Sequence, residues 1–89
     1  MQEELTSTLK KMLVTNLFVE TPEGQIGEDD GLQSVLGLDS VGFLELRVLC
    51  EERFQVRITD EDFNPDNFRT VGKLASFITQ LKSSQESVA

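Results

Sequence analysis

Only one stretch of the chain, FQVRIT at residues 54–59, alternates apolar and polar residues as a half-buried strand does. A sheet needs at least two such runs, and no second one exists here to pair with it. The segment therefore reads as an extended connection and the fold as all-α. Helical period dominates elsewhere. From Glu3 to Phe18, Leu5, Leu9, Met12, Leu13 and Leu17 recur on one face, with glutamates in the first turn and lysines further on, as the helix dipole favours. A second helix is predicted over Ser40–Phe54, with Asp39 as its N-cap and Ser40 as its first residue. A third starts near Thr70, with Val71, Leu74, Ala75, Ile78 and Leu81 as its stripe and Phe77 widening it.

Between the first two helices lies ETPEGQIGEDDGLQSVLGLD, where a proline, four glycines and a run of carboxylates break every period while Ile26, Leu32 and Leu36 remain as apolar anchors. Structureless loops longer than about 12–15 residues are uncommon in compact domains unless functional, so the length of this one counts either against its reading as a loop or in favour of a site nearby. A brief fourth helix is expected within TDEDF, capped by Thr59 and stopped by Pro65. The expected architecture is thus a small three- to four-helix bundle with a long loop between helix one and helix two. The domain is assigned to residues 1–82, and SSQESVA, residues 83–89, reads as a solvated, flexible tail.

The second helix carries more apolar surface than one buried stripe requires. Phe43, Leu46, Cys50 and Phe54 fall on one side, while Val41, Leu44 and Val48 fall on roughly the opposite one, flanked by Glu45, Glu52 and Glu51. Ser40, Leu44, Arg47 and Glu51 follow at intervals of four, three and four, which sets the serine at the N-terminal end of that second face. A hydroxyl, an apolar strip and a carboxylate fringe on one surface make a docking site for a basic partner that acts on the hydroxyl.

Composition narrows the function from the other side. With 16 acidic against 8 basic residues the net charge is −8, which disfavours nucleic acid and anionic lipid and points to basic partners. There is no histidine, which removes the usual general base, serine triads, Cys/His pairs and most transition-metal sites. Read as a nucleophile elbow, LDSVG has Leu38 where G-x-S-x-G needs glycine. The spacing of Asp60, Asp62 and Asn64 suggests a calcium loop, but Pro65 and Val71 occupy the glycine and bidentate-glutamate positions. No catalytic residue and no metal ligand is assigned. Cys50 has no partner and reads as core filler in a reducing, cytoplasmic setting, and no leader or bilayer-length apolar run is seen.

LGLDSVGFLEL, at residues 36–46, resembles the phosphopantetheine attachment motif of the acyl and peptidyl carrier protein superfamily. The likeness extends over the opening helix, the long loop, the serine-led helix, RFQVRITDEDF and FRTVGKLASFI. It implies that Ser40 takes 4′-phosphopantetheine from coenzyme A through a phosphopantetheinyl transferase with Mg²⁺, Asp39 completing the motif. The arm would tether an acyl or aminoacyl group as a thioester. Implied partners are an acyltransferase or acyl/aminoacyl ligase and a ketosynthase or other condensing enzyme, met through Val41, Leu44, Glu45, Arg47, Val48, Glu51 and Glu52 by a monomeric carrier. Gly42 replaces the acidic residue common in fatty-acid synthase carriers, Arg47 adds a positive charge, and FNPDNFRTV looks like discrete secondary-metabolite carriers. Polyketide or related antibiotic biosynthesis is the first expectation, with primary fatty-acid synthesis the second. Arg47 is expected to pair with an acidic group on the loading enzyme. A rival from another class is an acidic helical adaptor in which Ser40 is merely part of a cap.

Overall fold

The computed structural model of the chain describes residues 2–86, and among them are three α-helices: α1 (Gln2–Thr15), α2 (Ser40–Phe54) and α3 (Val71–Glu86). A 3-10 turn at Glu23–Gln25 interrupts the long loop, and the only β pairing among the described residues is an isolated antiparallel bridge between Gly31 and Thr70. The all-α expectation holds. Leu9 and Leu13 of α1, Leu46 and Cys50 of α2, and Leu74 and Ile78 of α3 meet in one core with almost no exposure. At about 25 cal/mol per Å² of apolar surface, this shared burial is the main force holding the three helices together.

The helix starts agree closely with the sequence. Asp39 accepts a 2.7 Å hydrogen bond from the Gly42 N–H, and Thr70 Oγ1 accepts one of 3.0 Å from Lys73 N–H, so α2 and α3 begin on side-chain caps. The first helix ends earlier than its apolar period suggests. Phe18 lies beyond Thr15 with φ 58°, and the N–H groups of Leu17 and Val19 close the end by donating to Met12 O and Leu13 O.

The loop from 16 to 39 is held rather than slack. Ile26, Leu32, Leu36 and Leu38 are buried, and two backbone bonds, Leu32 N–H to Arg69 O and Gly72 N–H to Glu28 O, fasten the loop to the start of α3. Its last turn ends at Gly37, φ 75°, where a left-handed residue lets Leu38 turn inward and deliver Asp39 to the cap.

Two expectations are corrected. TDEDF forms one turn rather than a helix: Asp62 N–H donates to Thr59 Oγ1 and Phe63 N–H to Thr59 O, after which Asn64 and Asn67 take over. Asn64 Oδ1 accepts from Asn67 N–H and Asn67 Nδ2 donates to Asp62 O, so these amides supply the hydrogen bonds a second turn would have used, and Pro65 cannot extend it. The segment expected to be a tail from Ser83 is helical through Glu86, because the Gln85 amide is anchored on the backbone N–H and O of Arg57, at 3.0 and 3.1 Å. Residues 87–89 of that segment lie outside the described residues.

Burial in this core pushes the Cys50 thiol up to about 12, with the neighbouring Glu51 charge adding to the effect. A thiol whose pKa is higher in the folded than in the unfolded chain keeps its proton where the unfolded chain loses it. Stability is therefore unaffected below the unfolded value of 9.0 and falls as pH rises from there toward 12. At pH 10 the loss from this one group is on the order of 1 kcal/mol. Urea melts at pH 7.5 and 10 should show it, and Cys50→Ala should remove that part of the alkaline slope although its own stability is lower. An identical slope in the variant would assign the alkaline loss to other groups.

Candidate functional site

The site is built at the point where the long loop ends and α2 begins. Asp39 is extended, φ −99° and ψ −177°, and its carboxylate is committed to Gly42 N–H. Its own carbonyl accepts from Phe43 N–H at 2.9 Å, which leaves the N–H groups of Ser40 and Val41 ahead of the intrahelical ladder. Ser40 is exposed at the first helical position, at the positive end of the helix dipole. Such a position stabilises an anionic group joined to the serine oxygen. The adjacent Asp39 carboxylate serves as the cap through Oδ1.

Gly42 has a packing reason to be glycine. A Cβ there would sit 3.0 Å from Leu38 Cγ and Cδ1 and 3.2 Å from Asp39 Oδ1. Leu38, buried beneath the start of α2, would have to give by a few tenths of an ångström to admit a side chain there.

The division of α2 into two faces is borne out. Leu46 and Cys50 are fully buried with Phe43, Leu49 and Phe54 packed partly against the core, whereas Val41, Leu44 and Val48 are 64%, 53% and 52% exposed. Glu45 and Glu52 are exposed beside them. Val41, Leu44 and Val48, together with Asn16 from the end of α1, line a shallow hollow of about 440 Å³.

Arg47 and Glu51 lie elsewhere. Arg47 Nη2 donates to Ile58 O at 2.6 Å, Nη1 pairs with Asp60 at 3.1 Å, and the guanidinium stands 5.1 Å from the centre of the Phe63 ring. Glu51 Oε2 accepts from Ile58 N–H at 2.8 Å. The two side chains grip the backbone of a single residue in the extended connection. From the other side Gln85 does the same for Arg57. A segment that alternates like a strand and has no partner strand is thus satisfied by side chains from two helices. The sequence signal was present: an Arg/Glu pair at i, i+4 on a helix, and an orphan strand just after it.

Sequence reasoning also missed a second opening beside Ser40. A groove of about 650 Å³ runs between α2 and the turns at 63–69, with Ser40, Phe43, Leu44, Phe63, Phe68 and Arg69 on its walls. Its aromatic floor is continuous with the core: Phe63 meets Phe68 edge-on at 5.1 Å, and Phe68 stacks obliquely on Phe77 at 6.0 Å. Leu44 lines both this groove and the hollow on the docking face, and so forms the ridge between them. The residues that betray the groove in sequence are phenylalanines outside any helical stripe, Phe63 and Phe68, on either side of Pro65.

Residues 7–78 match the family described as a phosphopantetheine attachment site. The D-alanyl carrier protein of Streptococcus sanguinis is 32% identical over 71 residues, covering 80% of this chain and 87% of that protein. Acyl carrier proteins of Kineococcus radiotolerans and Prochlorococcus marinus are each 33% identical over 81 residues, covering 91% of this chain and 95% and 96% of theirs.

Proposed function

The chain belongs to the phosphopantetheine attachment-site family of carrier proteins, and from that premise we propose that Ser40 bears the covalent 4′-phosphopantetheine and that the chain presents an acyl or aminoacyl thioester to partner enzymes. The observation that carries the assignment is the exposed hydroxyl at the first residue of α2, held open by the Asp39 cap and by the turn at Gly37. The prosthetic group supplies a thiol on a long arm. The residues of the chain do three things for it. The free N–H groups at the start of α2 and its dipole favour the phosphodiester. Burial of Leu38 and Leu46 fixes the helix start that presents the serine. Val41, Leu44 and Val48 with Glu45 and Glu52 offer an apolar strip with an acidic margin to enzymes of basic surface.

Asp39 serves its cap through Oδ1, and in this reading the transferase removes the serine proton. Chemistry on the cargo likewise belongs to the partners: a loading acyltransferase or ligase, then a condensing or acceptor enzyme. No helix among the described residues is long and apolar enough to cross a membrane.

For the pathway, FNPDNFRTV still supports a discrete carrier of polyketide or related secondary metabolism. Gly42 and Arg47 no longer do, since packing against Leu38 and the grip on Ile58 explain them within the fold. An aminoacyl cargo is favoured by the likeness to D-alanyl carriers, an acyl cargo by the likeness to acyl carriers.

The test is intact mass. Apo protein given coenzyme A, Mg²⁺ and a broad-specificity transferase should gain one phosphopantetheine group, whereas an adaptor without prosthetic group gains nothing. Loading of the holo form by acyltransferases and aminoacyl ligases, read the same way, then separates the two cargoes.

A further inference from the structure

Left-handed backbone occurs at three described positions, and one of them carries a residue that local physics disfavours. At Gly37, the N–H before it donates to Gly31 O and the N–H after it to Leu32 O. At Phe18 the pattern repeats at the same offsets, Leu17 N–H to Met12 O and Val19 N–H to Leu13 O, with φ 58°. The third is the polar, exposed Gln55 after α2. Glycine takes this conformation without steric cost, and a bulky residue does not. Phe18 is also 83% exposed, the most exposed of the large apolar residues among those described. Backbone strain and an exposed ring at one position stabilise nothing within the chain.

The flanking sequence says what the ring is for. Between Met12 and Leu46 the sequence holds seven carboxylates and no lysine or arginine. Phe18, Val35, Val41 and Leu44, four of the five exposed large apolar residues among those described, lie within that span. Asn16, two residues before Phe18, borders the hollow formed by Val41, Leu44 and Val48. The matching surface is an apolar centre with a cationic rim on a protein that must reach Ser40. A second copy of this chain, at net charge −8, would be repelled.

We propose that Phe18 is a docking anchor for the phosphopantetheinyl transferase, inserted into an apolar pocket of a basic surface beside the one that receives Val41 and Leu44. The inference rests on the carrier reading above. Anchors of this kind, aromatic and exposed before binding, carry a disproportionate share of interface energy.

Phe18→Gly and Phe18→Ala proteins would be compared with wild type for thermal midpoint and for kcat/KM of Ser40 modification by a purified transferase with coenzyme A. Phe18→Gly should raise the midpoint by about 4 °C or more, because it relieves the left-handed strain, and lower kcat/KM about tenfold. Phe18→Ala should lose as much kcat/KM with no comparable gain in midpoint. Kinetics of both variants within twofold of wild type would overturn the proposal, and so would a lower midpoint in Phe18→Gly, which would make the ring structural. A concentration-dependent dimer in sedimentation that Phe18→Gly abolishes would also overturn it, giving the ring to self-association. Wild type left unmodified would instead sink the carrier reading itself.

Discussion

Ser40→Ala protein should emerge from the transferase reaction with its mass unchanged, while its urea melt remains close to that of wild type. The contrast arises from where the side chain stands. Ser40 is exposed at the first position of α2, and the hydrogen bond that starts the helix belongs to Asp39. Removing the hydroxyl thus takes away the only atom to which the arm would be joined and little that holds the fold. Asp39→Ala should behave in the opposite sense, losing roughly 0.5–2 kcal/mol with the cap while a hydroxyl remains to be modified, though less efficiently. Ser34 makes the experiment demanding. It lines the same groove as Ser40 and is also exposed, so an assignment to the wrong hydroxyl would show at once. Mass gain in Ser40→Ala, or its loss in Ser34→Ala, would refute the choice of Ser40.

How much of this could be read from residues alone depends on whether the deciding interaction is local. The start of α2 was legible because Asp39 and Gly42 lie three apart and a cap is a short-range device. Its two faces were legible because helical period sorts Leu46 and Cys50 from Val41, Leu44 and Val48 without reference to the rest of the chain. The anchors of the loop were legible as apolar residues in polar surroundings, but not their route. The bond from Gly72 N–H to Glu28 O joins residues far apart in sequence, and no period records it. The same reason explains the extra turn of α3, which Gln85 secures on Arg57, and the groove beside Ser40, whose walls come from α2 and from turns some twenty residues later. Where side-chain amides competed with a helix, as at Asn64 and Asn67, the capping pattern of Thr59 favoured a helix and the specific hydrogen bonds prevailed.

Arg47 illustrates the same limit with the larger consequence for stability. Helical spacing alone puts it on the docking side, where an exposed arginine would affect loading by partners and leave folding untouched. The structure instead directs three interactions from it into the protein: the charged bond to Ile58 O, the ion pair with the well-exposed Asp60, and the contact with the Phe63 ring. They are unequal. A hydrogen bond from a charged donor contributes about 1.5–3 kcal/mol and a cation over an aromatic ring about 0.5–1, while an ion pair with an exposed carboxylate contributes about 0–1. Arg47→Ala should therefore cost about 2–4 kcal/mol in urea unfolding, with Asp60→Ala near neutral. Glu51→Ala should lower stability as well, since it strips the acceptor from Ile58 N–H, and Glu51→Gln, which keeps an oxygen there, should lose less. Because both side chains hold the same residue, the double variant Arg47→Ala/Glu51→Ala should fall short of the sum of the single losses. Hydrogen exchange at the Ile58 amide supplies a local check, and it should quicken in both single variants more than at Leu46. If Arg47→Ala melts like wild type and only loading suffers, the arginine faces partners after all. The wall of the groove at Phe63 would then have to be held by the packing of Phe63 on Phe68 alone.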